Sequence, residues 1–319
     1  MITLVDTRPL VVTTSWTGKK AIITGINGLI GAWLARKLIE EGAIVTGIEA
    51  SPLGMLQLHP NTKSVHVYTE DIRNLEAMQL WLQGNDVIFH LAAISGVEHS
   101  RQLAHEAIDI NVRGTYSVLE AARRLRTPVL VATSNHIYGK QATFPVKESA
   151  PLNQLDTYSA SKVCADVLTR AYYHNYGLTT SAVRNTNCFG PYDPHNDHII
   201  MSTIRSILNK KKPVIKSNGL TIKSYMHVED TALSYMKIAE LMIEHPGEAW
   251  NVSDERIGVQ ELVALICDTM GWKEGYHVLG EGNDQSDEYM DSSKLRSYGW
   301  MPKWTLKEAI RDTVKWVKS

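Results

Sequence analysis

Short, β-branched apolar runs alternate with longer amphipathic stretches along the first 185 residues. The runs near 20–24, 43–48, 65–68, 86–90, 128–133 and 180–184 are too short for stable helices, and they lack the strict alternation of a strand with one wet face. They predict strands covered on both sides, with helices in the intervals, two of which lie near 104–125 and 157–176. A mostly parallel, doubly wound α/β sheet with right-handed crossovers follows. After Pro191 the pattern becomes irregular, with helices predicted near 198–210, 229–243, 259–270 and 305–317. No linker-like tract separates the two parts, so the second lobe is expected to be woven into the first.

The first strand runs into Gly25-Ile-Asn27-Gly28-Leu29-Ile30-Gly31 and then into an amphipathic helix. Strand, tight turn and helix in that order suit a dinucleotide: Gly25 permits the turn, Gly28 lets backbone approach a pyrophosphate, and Gly31 lets the helix pack closely. The helix N-terminus would hold the anion on free N–H groups. The glycines are spaced three and three, a departure from the commoner two and three. The second strand ends in Glu49, at the separation expected for an acid that binds the adenosine ribose, and a carboxylate there repels a 2′-phosphate. The expected cofactor is therefore NAD. Asp71-Ile72 and Phe89-His-Leu91-Ala92-Ala93 fall where later strands end, and ligands collect at those carboxyl ends.

Tyr158 and Lys162 lie four apart, on one face of a predicted helix. An ammonium beside the phenol would favour its ionised form and make Tyr158 a proton shuttle. Ser134 stands between the glycine loop and this pair, at the end of the fifth predicted strand.

Taken together, Gly25/Gly28/Gly31, Asp71-Ile72, His90-Leu-Ala-Ala93, Asn111-Val-Arg-Gly-Thr115, Ser134 with Tyr138-Gly139, Tyr158/Lys162 and Arg184-Asn-Thr-Asn187-Cys-Phe-Gly-Pro191 resemble the extended short-chain dehydrogenase/reductase family of nucleotide-sugar epimerases and dehydratases. The resemblance spans roughly residues 19 to 318. It implies an N-terminal extension over 1–18, an NAD-binding Rossmann domain over 19–190 and a smaller, interwoven C-terminal α/β substrate lobe over 191–319. It also implies that Ser134 hydrogen-bonds the reacting sugar hydroxyl, Tyr158 removes its proton, Lys162 orients the nicotinamide ribose and Asn187 contacts the substrate. The cofactor set would be Gly25, Asn27, Gly28, Leu29, Ile30, Gly31, Glu49, Asp71, Ile72, Leu91, Ala92 and Ala93, with Tyr158 and Lys162. The later blocks Pro213–Gly219, Ser224–Thr231 and Asp287–Lys294 look most like the CDP-glucose 4,6-dehydratase branch. The helices near 104–125 and 157–176 are those through which the family dimerises, and Tyr172 and Tyr173 belong either to such an interface or to the core.

Two departures bear on the reaction. Sugar 4,6-dehydratases commonly follow the catalytic Ser or Thr with an acid, whereas this chain reads Ser134-Asn135-His136. An amide cannot donate a proton as a general acid, so elimination would need His136 or a distant group; the other reading makes His136 a packing residue. The same run resembles uronate dehydrogenases, so net oxidation of a free sugar acid is an alternative, and a non-catalytic NAD-binding relative is another. Secondly, positions where relatives carry arginines for the diphosphate hold Lys223 and Asp287. Lysine can hold phosphate as a point charge, but an aspartate in contact with it would repel it. Either other cations, such as Arg205 or Lys216, take over, or the substrate is not a typical diphosphate sugar. Asn135, His136, Asn187 and Lys223 complete the expected substrate contacts.

The loop Asp193-Pro-His-Asn-Asp-His198 contains four potential metal ligands but has the composition of a turn, and no metal is expected. The net charge of −1 gives no electrostatic reason to seek nucleic acid or membranes. The three cysteines, Cys164, Cys188 and Cys267, show no metal spacing and suit a reducing cytoplasm. The first 18 residues lack the basic start and sustained apolar run of a signal peptide. The expected partner is a small sugar nucleotide or sugar acid.

Overall fold

The computed structural model describes residues 15–51, 54–154, 156–281 and 286–319, so most of the extension expected over 1–18 lies outside the described residues. In chain order the strands are β1 (Lys20–Thr24), β2 (Ile44–Glu49), β3 (His66–Thr69), β4 (Val87–His90), β5 (Val129–Ala132), β6 (Thr180–Asn185), β7 (Asn187–Phe189), β8 (Val214–Ile215), β9 (Ile222–His227), β10 (Glu248–Val252), β11 (Arg256–Gly258) and β12 (His277–Val278). The helices are α1 (Leu29–Glu40), α2 (Leu75–Leu82), α3 (Val97–Gln102), α4 (Ala104–Ile108), α5 (Thr115–Leu125), α6 (Thr157–Tyr176), α7 (Ile199–Leu208), α8 (Val228–Leu241), α9 (Val259–Met270), α10 (Ser293–Ser297) and α11 (Leu306–Lys318).

Seven strands form one sheet in the order β10-β6-β5-β4-β1-β2-β3, and every pairing is parallel. Strands β4 and β5 are buried at each position, which is why their sequences are continuously apolar. One layer, with Leu34, Leu38, Tyr235 and Ile238, covers one side of the sheet, and Met78, Leu82, Leu119 and Ala122 belong to the other. The order reverses between β1 and β4, the place where open parallel sheets take ligands.

The seventh strand comes from beyond Pro191. Strand β10 pairs with β6 from Glu248↔Ser181 to Val252↔Asn185, and α8 lies along α1, where Lys37 Nζ meets Glu229 Oε1 at 2.5 Å. Sequence pattern placed helices there but missed the strands of this region. Several are two or three residues long, too short to carry a periodic signal.

The helix expected over 104–125 is interrupted. Residues Asp109–Gly114 form a wider π-turn between α4 and α5. Asn111 is drawn out of the helical surface by Ile94, donating from Nδ2 to its carbonyl at 3.0 Å and accepting from its N–H at 2.8 Å. Gly114 sits against Ile72, where a Cβ would fall 2.4 Å from Cδ1. Such bulges recur near functional sites.

Tyr138 and Arg184, both in quoted motifs, tie the lobes together. Arg184 lies in β6 and pairs with the fully buried Asp166 of α6, Nε to Oδ2 at 2.8 Å. It also donates to the Tyr138 hydroxyl at 2.8 Å, which in turn donates to Asn251 Oδ1 on β10 at 2.6 Å. A second, smaller core from α7, α9 and α11, with Ile204, Leu262, Ile266 and Ile310, supports the sheet β11-β9-β7.

Candidate active site

The carboxyl ends of the strands around the reversal open onto one cavity of ≈1080 Å³, which runs from the glycine turn to Lys223. That is just above the ~300–1,000 Å³ range of ligand pockets. At one end, Gly25 has φ +74°, and a Cβ there would stand 2.6 Å from the Ala92 backbone nitrogen. A Cβ on Gly31 would reach within 2.2 Å of the Gly25 carbonyl oxygen. The close packing at Gly31 is thus against the turn itself. Gly28 faces open space apart from that same carbonyl at 3.4 Å, and as N-cap of α1 it provides no side-chain hydrogen bond. The amides of the first turn of α1 therefore remain available to an anion on the cavity wall formed by Gly28, Leu29, Ile30 and Gly31.

Glu49, at the end of β2, accepts from the Asn27 and Ala50 N–H groups, each at 3.1 Å. Burial raises its pKa, offset by those two bonds. Asn27 donates to the Ser51 carbonyl at 2.9 Å, while its Oδ1 is buried with no hydrogen-bond partner. These features fit an adenosine ribose and pyrophosphate: an acid at the strand end, an uncapped helix and a polar atom still lacking a partner. Asp71, Ile72, Leu91, Ala92 and Ala93 line the same cavity. The Asp71 carboxylate is held by Arg73, Nε to Oδ1 at 3.0 Å, and Arg73 also reaches Asp109; the guanidinium lowers the pKa of Asp71. Nothing in the local pattern marked Arg73.

Behind this wall, buried His90 joins Thr24 of β1 at 2.7 Å to Thr115 of α5 at 3.0 Å. Burial first, with the Lys162 charge second, lowers its pKa to about 3, so the ring is neutral.

The sequence-predicted trio converges at the middle of the cavity. Ser134 leaves the end of β5 and Tyr158 and Lys162 come from the first turns of α6, whose N-cap Asp156 accepts from Ser159 N at 2.9 Å. The Ser134 side chain acts on the Tyr158 phenol, lowering its pKa against the larger effect of burial. The Lys162 ammonium donates to the Ala132 carbonyl at 3.0 Å. Burial pushes Tyr158 up to about 12 and Lys162 down to about 8. In the protein alone, desolvation governs the phenol.

Asn135 is buried, its Oδ1 3.3 Å from Ser134 Oγ and its Nδ2 without a partner. The His136 ring stands edge-on to Tyr158, centroids 6.0 Å apart. Its Nδ1 is 4.0 Å from Glu288 Oε1, and Lys223 Nζ lies 3.2 Å from Glu288 Oε2. Glu288, separated by 152 positions from His136, is the site residue that sequence reasoning missed. Asn187 lines the cavity and donates to the Ser224 carbonyl at 3.2 Å. Asp287 accepts from Ile222 N at 2.9 Å, so its carboxylate braces β9. Lys216 is on the cavity wall, whereas Arg205 keeps its Nε buried.

Tyr172 is 6% exposed and belongs to the core. Among the described residues no helix is long and apolar enough to cross a membrane.

A family model described as NAD dependent epimerase/dehydratase family matches residues 21–253. The chain is 28% identical to the CDP-glucose 4,6-dehydratase of Salmonella typhimurium, over 95% of this chain and 92% of that protein. It is 27% identical to a putative UDP-glucose 4-epimerase of Methanocaldococcus jannaschii, over 93% and 98%. Among solved structures it is similar to UDP-N-acetylglucosamine 4-epimerase from Methanobrevibacter ruminantium in complex with UDP-N-acetylmuramic acid (TM-score 0.87, 25% identity, 95% of this chain and 99% of that one). It also resembles dTDP-glucose 4,6-dehydratase from Streptomyces venezuelae with NAD bound (TM-score 0.84, 25% identity, 94% and 97%).

Proposed function

Since the chain belongs to the NAD dependent epimerase/dehydratase family, we propose that it binds NAD and a sugar nucleotide in the single cavity and acts through a transient ketone at C4 of the sugar. The observation that carries this reading is the convergence of Ser134 and Tyr158, with Lys162 one turn along α6, on the wall of a cavity that continues to the glycine turn. When bound, NAD supplies a hydride acceptor and, in its oxidised form, a positive charge that favours the tyrosinate. Gly28 and the first turn of α1 hold the pyrophosphate, and Glu49 disfavours the 2′-phosphate of NADP.

Ser134 Oγ and the Tyr158 hydroxyl share the sugar C4 hydroxyl between them. Tyr158, neutral in the protein alone, would first release its own proton to solvent once positive charge stands beside it, and as the tyrosinate would then take the proton of the C4 hydroxyl. Lys162, with a pKa near 8, is charged at neutral pH and holds its place through Ala132. Asn187 and Asn135 offer amides to the sugar.

One observation favours water loss over simple epimerisation. Glu288 stands 4.0 Å from His136 Nδ1, so a carboxylate faces the imidazole beside Tyr158, the group that would hand a proton to a departing hydroxyl. Such general acid catalysis is worth about 10²–10⁴ in rate. We also infer assembly as a homodimer through α5 and α6, where Tyr116, Val167 and Tyr176 stay exposed, in a cytoplasm that keeps the three free cysteines reduced.

The test is incubation with CDP-, UDP-, GDP- and dTDP-sugars and free uronates, with NAD or NADP, followed by mass spectrometry and NMR; light scattering reports the oligomer. A product lighter by one water, or an epimer of unchanged mass, supports the reading. Stoichiometric NADH release from a free uronate, with nothing from nucleotide sugars, refutes it, and equal support by NADP refutes the role of Glu49.

A further inference from the structure

The loop between β7 and α7 does something that its turn-like composition does not disclose. Asp193 is fully buried, and its Oδ1 accepts from the His195 backbone N–H at 3.0 Å and lies 2.9 Å from His195 Nδ1. Its Oδ2 is buried with no hydrogen-bond partner. His198 Nδ1 stands 3.8 Å from that oxygen, beyond hydrogen-bond reach. The two imidazoles are stacked, centroids 4.4 Å apart and 13° from parallel, so both Nδ1 atoms come to the one carboxylate. All three ligand atoms lie within 4.8 Å of one another.

An ion pair between Asp193 and His195 accounts for half of this arrangement. It leaves the second oxygen desolvated, at a cost of about 1–3 kcal/mol for an unsatisfied buried acceptor, and it gives His198 no reason to turn its Nδ1 inward. A divalent ion resolves both. Two ligands bound tetrahedrally at ~2.1 Å are roughly 3.4 Å apart, and the 2.9 and 3.8 Å separations bracket that spacing. Two imidazoles and a carboxylate are a ligand set for Zn²⁺ and its first-row neighbours.

The place matters as much as the ligands. His195 and His198 are both on the wall of the large cavity, together with Ile199 and Ile200 at the start of α7. His198 is the N-cap of that ten-residue helix and makes no side-chain cap bond, so the first-turn amides face the same space. With Asp193 contributing one negative charge, the bound ion leaves a net positive centre beside a positive helix end. Lys223, where a phosphate grip was expected, is matched by Glu288, and Asp287 is committed to β9.

We propose that Asp193, His195 and His198 bind a divalent transition-metal ion whose open coordination position takes a phosphate oxygen of the nucleotide substrate. The cation site stands on the loop geometry alone; its phosphate partner rests on the sugar-nucleotide reading above. Metal ligands bind in their deprotonated form, so affinity rises with pH.

Calorimetric titration of the chelator-treated full-length protein with Zn²⁺ tests the ion site. One ion per chain is expected, with tighter binding at about pH 7.5 than at about pH 6. His195→Ala and His198→Ala, partly exposed positions whose folding is checked by circular dichroism, should each lose at least about tenfold in affinity. Asp193→Asn should do the same, but it alters a buried charge and is secondary. No uptake by the wild type, or uptake unchanged in both histidine variants, overturns the site. UDP is then titrated with and without Zn²⁺, and at least about tenfold tighter binding with the metal is expected. Equal UDP affinities would overturn the phosphate role while leaving the ion. Zinc binding by a protein that turns over no sugar nucleotide would instead count against the proposed function.

Discussion

At the glycine turn, positions are specified by what no other residue can do there: a Cβ at Gly31 would lie 2.2 Å from the Gly25 oxygen, and that oxygen is backbone and cannot move aside. At the other end of the cavity the positions are specified by partners. Lys223 answers to Glu288, Glu288 to His136, and Asp287 to the backbone of Ile222. The first end is built from consecutive residues and backbone sterics, the second from side chains brought together across the chain. The cofactor end should therefore be brittle to small substitutions and the substrate end compensable, because a flexible charged chain can be replaced by another.

The trio between the two ends should show the largest effect. Tyr158→Phe removes the proton shuttle but keeps the ring, and turnover should drop about 10²–10⁴-fold, while NAD affinity by calorimetry stays within a few-fold. A comparable loss of NAD affinity would place Tyr158 with the cofactor end.

Gly31→Ala adds one methyl group and should cost about 1–3 kcal/mol of stability by overpacking, with weaker NAD binding as α1 is pushed off the turn. Thermal melts and calorimetry would detect it, and an unchanged melting temperature would show that the turn yields.

Acid should find the same end. His90 has a folded pKa near 3, far below its unfolded value of about 6.5. Above pH 6.5 both states are neutral and the full stability is present; as the pH falls below it, the unfolded chain takes up a proton that the folded one refuses. Stability is lost progressively towards pH 3, roughly 2–3 kcal/mol from this group by two units below 6.5. Buried His59, with a pKa near 4, adds to the trend. Denaturant titrations at several pH values should show the slope, and His90→Asn should flatten it; an equal slope in the variant would place the acid sensitivity elsewhere.

The smallest effect is expected at Lys223→Ala. Its charge is already matched by Glu288 in a half-buried pair, and such pairs contribute about 0–1 kcal/mol. KM for the nucleotide sugar should change less than about fivefold. A rise of a hundredfold would make Lys223 the phosphate grip and erase the contrast between the two ends.

The same contrast decides what the sequence could reveal. Gly25, Gly28, Gly31 and Glu49 carry their geometry in spacing, and Ser134, Tyr158 and Lys162 sit at a strand end and one turn apart on a helix, so all were legible before any coordinates. Strands β1, β4 and β5 were legible because burial on both faces leaves an apolar run. Glu288, Arg73 and the meeting of Asp193 with two histidines were not, since no local pattern encodes a contact across 152 positions or the inward turn of two rings in a loop. The break at Asp109–Gly114 was missed for a related reason: its helical periodicity continues, and only the demand of Ile94 on Asn111 pulls it open.

Strand β10 has a consequence for how this chain is made. As the polypeptide leaves the ribosome, β6 is complete at Asn185, yet its outer edge acquires a neighbour only when Val252 has emerged. For that interval of synthesis the most distant edge of the sheet is a bare row of amides and carbonyls, the kind of surface that recruits other chains. The α1 face destined for α8 waits until Leu241 has emerged. A fragment ending near Pro191 would carry every glycine of the turn and all of Ser134, Tyr158 and Lys162, and still be born with an aggregation-prone edge. Folding of the cofactor end is thus gated by sequence that lies beyond the substrate loops, and the slow, long-range closure of β6 on β10 sets when the enzyme first becomes safe from its neighbours.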